Sequence, residues 1–183
     1  TSSPKVMIMT VNAGAIPADH WVHDHTVGGG RLIGEGCHFI DLLRHLAGSP
    51  IKSAQAMTLG MGPGLDITED KTSISLSFED GSIGTIHYLA NGHKSFPKER
   101  LEIFVDGKVL QLDNFRKIKA YGQSGVRPLR LWRQDKGQGN CAQAFVNAIE
   151  SGSQSPIPFE ELMEVSRVSI ELASMLKDKT RWH

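Results

Sequence analysis

The central third of this chain alternates with a period of two, and that pattern constrains the fold more than any other feature. Ile74, Leu76 and Phe78 alternate with Ser73, Ser75 and Ser77. Side chains on a strand point to opposite faces in turn, so this segment forms a strand with one buried face. Glu79-Asp80-Gly81-Ser82 follows and supplies a turn, because Asp and Gly tolerate the positive φ that tight hairpins need. The chain returns through Gly84, Ile86 and Tyr88 alternating with Ile83, Thr85 and His87. Leu101, Ile103 and Val105, the Asp106-Gly107 turn, and Val109 to Leu112 repeat the same logic. Further strands are predicted at Lys5–Asn12 and Ile51–Leu59, with weaker candidates at Phe115–Tyr121 and Leu129–Trp132. Six to eight strands with short connections make a mostly antiparallel sheet.

Helical periodicity is confined to the flanks. Cys37–Ala47 carries Phe39, Ile40, Leu42, Leu43 and Leu46, and Gly48 followed by Pro50 stops it. Asn140–Glu150 is a second helix with Ala144, Phe145, Ala148 and Ile149 as its apolar positions. A third starts near Pro158, with Glu160 and Glu161 placed where the helix dipole favours acidic groups. Its apolar stripe is Leu162, Val165, Ser169, Leu172, Ala173 and Leu176. Strands in the middle and helices at the ends specify an α+β fold: one large open, mostly antiparallel sheet with helices packed on one face. The other face is left free for self-association.

Composition narrows the functional classes. The 183 residues carry 20 Lys and Arg against 20 Asp and Glu, which argues against a nucleic-acid or anionic-membrane partner. The apolar runs are too short to span a bilayer. Two cysteines, Cys37 and Cys141, are too few for a disulfide framework, which points to a reducing, cytoplasmic setting. The chain opens Thr-Ser-Ser-Pro without a methionine, as expected of a piece of a longer protein.

Two glycine-dense stretches, Gly28-Gly29-Gly30-Arg31-Leu32-Ile33-Gly34 and Met57–Gly64, fit neither G-x-G-x-x-G nor the P-loop spacing. Loop turning or tight backbone packing explains them, and no cofactor is expected to be held by this chain. His20, His23 and His25 with Asp24, then Glu35 and His38, concentrate chemistry in one segment. Glu35 lies three residues before His38, so within one helical turn the two would share a face as an acid/base couple. The alternative is a Glu stabilised at a helix start and a His packed beside Phe39. A zinc site drawn from these histidines, Asp24 and Cys37 is a further alternative, although its spacing matches no regular zinc pattern.

Taken together, Val11-Asn12-Ala13-Gly14, His20-Trp21, Asp24, Gly28-Gly29-Gly30 and Gly36-Cys37-His38-Phe39-Ile40-Asp41-Leu42 resemble the second domain of the glucose-fructose oxidoreductase/inositol dehydrogenase (Gfo/Idh/MocA) family. Lys98-Glu99-Arg100-Leu101-Glu102-Ile103, Leu112-Asp113-Asn114-Phe115 and Pro158-Phe159-Glu160-Glu161 extend the resemblance over nearly all of residues 1–183. It implies the substrate-binding and oligomerisation domain of an NAD- or NADP-dependent oxidoreductase acting on a sugar, cyclitol or nucleotide-sugar. The cofactor would be bound by an N-terminal Rossmann domain absent from this chain, so the chain alone would be inactive. A homodimer or homotetramer through the sheet face is also implied. His38 matches the family's catalytic histidine, which handles the substrate hydroxyl proton. Many members carry Asp-x-Gly-x-His, and here the Asp position is Gly34, followed by Glu35, which is the candidate replacement. Asp41 matches the family's His-x-x-Asp, with a structural role. Asn12, Trp21, Arg31 and Lys98 are the candidate substrate contacts. The departure at Gly34 motivates a different reading, a binding or dimerisation module that has lost the chemistry.

Overall fold

A computed structural model describes residues 3–60, 67–122 and 128–179. The part of the Met57–Gly64 stretch beyond Gly60 lies outside these residues. Eight strands form one sheet: β1 (Val6–Asn12), β2 (Ile51–Thr58), β3 (Lys71–Phe78), β4 (Ile83–Leu89), β5 (Glu99–Val105), β6 (Lys108–Asp113), β7 (Lys117–Tyr121) and β8 (Leu129–Arg130). Their spatial order is β2-β3-β4-β1-β5-β6-β7-β8, antiparallel throughout except for the β1–β4 pair. The α+β class and the open, mostly antiparallel sheet expected from the alternation are therefore present. The helices are α1 (Cys37–Ala47), α2 (Gln138–Ser151) and α3 (Phe159–Lys179).

The core lies where α1 and α3 cover the β2-β3-β4-β1 half. Met7, Met9, Val11, Ile74 and Ile86 on the sheet and Ile40, Leu43 and Leu172 on the helices are all fully buried. Helix and sheet approach closely because β4 carries Gly84, where a Cβ would lie 2.9 Å from Leu43 Cδ1. α1 ends at Gly48 in the left-handed conformation (φ 69°), whose N–H closes on the Arg44 and His45 carbonyls. A polar clasp then ties α1 to α3 and to the sheet edge. Arg44 Nε donates to Glu164 Oε2 at 2.8 Å, and the Ile51 amide donates to Glu164 Oε1. On α3 the buried stripe is Val165, Val168, Ser169, Leu172 and Leu176, with Ala173 partly buried against the core. Leu162, one turn earlier than the first buried contact, stays 42% exposed.

α2 forms where its periodicity predicted it but buries none of its residues. Phe145 is 59% and Ile149 66% exposed, so among the described residues its apolar face is left largely open to solvent.

The uncovered sheet face is banded. Ile83, Val6, Phe104, Val109 and Tyr121 are successive cross-strand neighbours and form one apolar row. The row containing Ser73, His87, Thr10, Arg100, Asp113 and Lys117 is polar throughout, with Ser73 Oγ 3.0 Å from His87 Nδ1.

Candidate functional site

Because β1 and β4 run parallel, their C-terminal ends reach the same edge of the sheet, where antiparallel β5 begins. The Asn12 amide donates to the Lys98 carbonyl at 2.7 Å and the Ala13 amide to the Leu89 carbonyl at 2.9 Å, closing this end. The segment from Ala13 to Gly36 lies over it and leads into α1.

Glycine makes that approach possible. At Gly28 a Cβ would lie 2.5 Å from Val22 Cα, so the loop rests directly on the backbone of the 3-10 turn Trp21–His23. Gly30 then adopts φ 90°, which an L side chain rarely does. A π-helical turn, Leu32–Gly36, follows and feeds α1. Its wider winding points Glu35 into the sheet end, in the way that such turns redirect side chains at functional sites.

Glu35 is the hub of a four-residue network. Its Oε2 accepts from Arg31 Nη2 at 2.9 Å and from the Tyr88 hydroxyl at 2.5 Å, and its Oε1 accepts from Lys98 Nζ at 2.8 Å. Arg31 is 4% exposed, donates through Nη1 to the Gly14 carbonyl at 2.6 Å, and sits 5.2 Å from the centre of the Tyr88 ring. Partial burial pushes the Glu35 carboxyl up, but the hydrogen bonds from Lys98, Tyr88 and Arg31 outweigh it and hold its pKa at about 2. Burial, reinforced by the neighbouring Glu35 carboxylate, raises the Tyr88 phenol, which therefore stays protonated as a donor. A carboxylate with three charge-assisted or phenolic donors is a fixed anion and a poor proton acceptor.

The other candidates are placed as follows. His38 lies in the first turn of α1, exposed, while the adjacent Phe39 and Ile40 turn into the core. Among the described residues its ring makes no hydrogen bond, and Glu35 is bonded elsewhere, so the spacing of three does not join them as a pair. Asp41 is partly buried on the next turn. Asn12 Nδ2 donates to the His93 and Phe96 carbonyls at 2.9 and 3.2 Å, pinning the loop before β5. Its Oδ1 is buried and has no hydrogen-bond partner among the described residues. Trp21 is 61% exposed and tilts against His20 at 5.6 Å. Lys98, with 44% of its side chain exposed, is the most solvent-accessible member of the network. Burial pushes the Cys37 thiol up, and its Sγ donates to the Ile33 carbonyl at 3.0 Å, so it is a poor nucleophile. Among the described residues no three His, Cys, Asp or Glu side chains converge as metal ligands. His25 instead pairs with Glu69 at 3.3 Å.

Tyr88 is the site residue that sequence reasoning missed. The available signal was a tyrosine on the buried side of an alternating strand, whose hydroxyl requires an internal partner.

The profile of the GFO/IDH/MocA C-terminal domain family matches residues 6–110. The chain belongs to this family. No curated protein sequence gives a significant match. Among solved structures it resembles UDP-N-acetylglucosamine 3-dehydrogenase from Acidithiobacillus ferrooxidans, with 15% identity and a TM-score of 0.72 over 97% of this chain and 55% of that one. Aldose-aldose oxidoreductase from Caulobacter crescentus, complexed with glycerol, gives 16% identity and 0.72 over 96% of this chain and 54% of the other. Levoglucosan dehydrogenase in complex with NADH gives 17% and 0.69 over 94% and 56%. At these identities the likeness establishes the shared fold. This Gfo/Idh/MocA chain thus spans little more than half the length of these relatives. No helix among the described residues is long and apolar enough to cross a membrane.

Proposed function

We propose that this domain is the substrate-handling half of an NAD- or NADP-dependent oxidoreductase that acts on a hydroxyl of a sugar, cyclitol or nucleotide-sugar. The observation that carries the reading is the polar cluster of Arg31, Glu35, Tyr88 and Lys98 at the shared end of β1, β4 and β5, beside the start of α1. The described residues do not fit a dinucleotide. The one parallel strand pair, β1–β4, is linked through α1 and the β2–β3 hairpin and not by a βαβ unit, and the glycines beside it are spent on backbone packing. The nicotinamide, which accepts hydride in such enzymes, is therefore assigned in this reading to a Rossmann domain outside this chain.

The chain's own residues would bind the polyol, orient it and take its proton. His38 Nδ1 or Nε2, without a hydrogen-bond partner among the described residues, accepts the proton of the substrate O–H, and an imidazole suits that task near neutral pH. Trp21 offers an exposed aromatic face to a sugar ring, and Lys98 offers N–H donors to its oxygens. Arg31 and Asn12 act one step back, the former by holding Glu35 and the latter by fixing the loop that precedes Lys98. Self-association is assigned to the apolar row Ile83-Val6-Phe104-Val109-Tyr121 on the uncovered sheet face.

Calorimetric titration of NAD(H) and NADP(H) into the 183-residue chain tests the division of labour. No heat of binding is expected. Micromolar binding by this chain alone would end the two-domain reading. A non-catalytic module is the second reading, motivated by Gly34 at the family's Asp position, and it predicts sugar binding without turnover in the full-length protein.

A further inference from the structure

We propose that Glu35 is a positioning residue that locks Lys98 as a locally neutral hydrogen-bond donor, so that the site selects an uncharged hydroxyl over an anionic group on the substrate. This rests on the substrate-handling reading above and specifies the chemistry of that same site.

The argument starts from how firmly the carboxylate is held. Both groups on Glu35 Oε2 are core residues: Tyr88 is 1% and Arg31 4% exposed. Tyr88 also packs against Phe39, with ring centres 6.4 Å apart, and Arg31 is anchored to the Gly14 carbonyl. Oε2 is thus fixed by two rigid neighbours, which fixes the direction of Oε1. Lys98 is a long side chain that would otherwise sample many rotamers; bonded to Oε1 at 2.8 Å it has one. An ammonium carries three donors, and Glu35 uses one of those on Lys98, leaving the rest for a ligand.

Charge then decides which ligand. A carboxylate or phosphate brought to Lys98 would sit beside the permanent negative charge of Glu35 and pay its repulsion. The guanidinium of Arg31 offsets only part of this, because it is buried and bonded to Oε2, whereas Lys98 and its ligand meet the carboxylate at Oε1. A neutral hydroxyl accepts from Lys98 without that penalty. The same geometry makes Glu35 a poor general base, since three donors on its two oxygens stabilise the ionised carboxylate.

The test uses the full-length protein and two probes that share a ring and differ in one carboxylate, D-glucose and D-glucuronate. Affinities for both are measured by ligand-observed NMR. Wild type is expected to favour glucose. Glu35→Gln removes the negative charge and should raise the glucuronate-to-glucose affinity ratio about tenfold. Tyr88→Phe keeps the charge but loosens the carboxylate, so both affinities should fall together while their ratio stays within about twofold. Lys98→Met alters an exposed side chain and leaves the fold intact; it should weaken glucose by about fivefold or more. A ratio unmoved by Glu35→Gln in a folded protein overturns the inference. If Glu35→Gln does not fold, Lys98→Met decides, and unchanged glucose affinity in that variant overturns it. Sugar binding that survives Lys98→Met unchanged sinks this inference alone, whereas binding of neither sugar by wild type removes the carbohydrate reading as well.

Discussion

Replacing Glu164 by Ala should cost this domain about 4 kcal/mol, a large share of the stability of an ordinary domain. Glu164 serves two donors at once: Arg44, of which 9% of the side chain is exposed, and the backbone N–H of Ile51. Removing one partner of a buried pair typically costs ~3–5 kcal/mol, because the remaining charge is left uncompensated. Glu161, 3.8 Å from Arg44 Nη2 and more exposed, can move in, which argues for the low end of that range. The orphaned Ile51 amide adds about 1 kcal/mol. Alanine is a good helix former, so helix propensity does not contribute to the loss. For a chain of this size the melting temperature should fall by roughly 8–16 °C. Urea unfolding followed by circular dichroism measures the change directly. Substituting Met at both Arg44 and Glu164 should recover most of it, since apolar replacement of a whole buried pair is often neutral. A loss below about 1 kcal/mol for Glu164→Ala would refute the claim that this clasp holds α1, and with it His38, against the sheet.

Two further outcomes are expected. Glu35 is depressed in the folded state, so its contribution to stability is fully present above the unfolded carboxylate range and fades as pH falls toward about 2. Urea stability compared at pH 5 and pH 3 should therefore fall less steeply for Glu35→Gln than for wild type; equal slopes would count against the network. Phe104→Lys, placed in the middle of the apolar row and 40% exposed there, should abolish the self-association proposed for that row, giving a smaller species than wild type in sedimentation at unchanged circular dichroism. Unaltered sedimentation would move the interface elsewhere.

The strands were legible because alternation is a local property. Ser73 to Phe78 and Ile83 to Tyr88 announce both their conformation and which side is buried. Stop signals were equally plain, as the left-handed Gly48 after Ala47 illustrates. What the sequence conceals is what lies opposite a given face. α2 shows the apolar spacing of a packed helix, yet Phe145 and Ile149 remain in solvent, since periodicity defines a face and not its cover. The site divides along the same line. Arg31 and Glu35 are four residues apart, a spacing at which side chains meet on a helix, yet Arg31 was expected to face substrate and not Glu35. The expected Glu35–His38 couple assumed an ordinary α-turn, and the π-helical winding of Leu32–Gly36 sends the carboxylate to Tyr88, which is 53 residues away in sequence, and to Lys98. No local pattern encodes a contact of that range; only the parallel β1–β4 pairing brings those residues together.

His38→Ala in the full-length protein tests the central claim most directly. The measurement is kcat for NAD(P)-linked oxidation of the preferred polyol, with circular dichroism to verify the fold. Because His38 is exposed and makes no internal hydrogen bond among the described residues, its removal should leave stability unchanged. If it takes the substrate proton, kcat should fall by about 10² or more. An unchanged kcat in a folded variant would contradict the assignment of proton transfer to this domain.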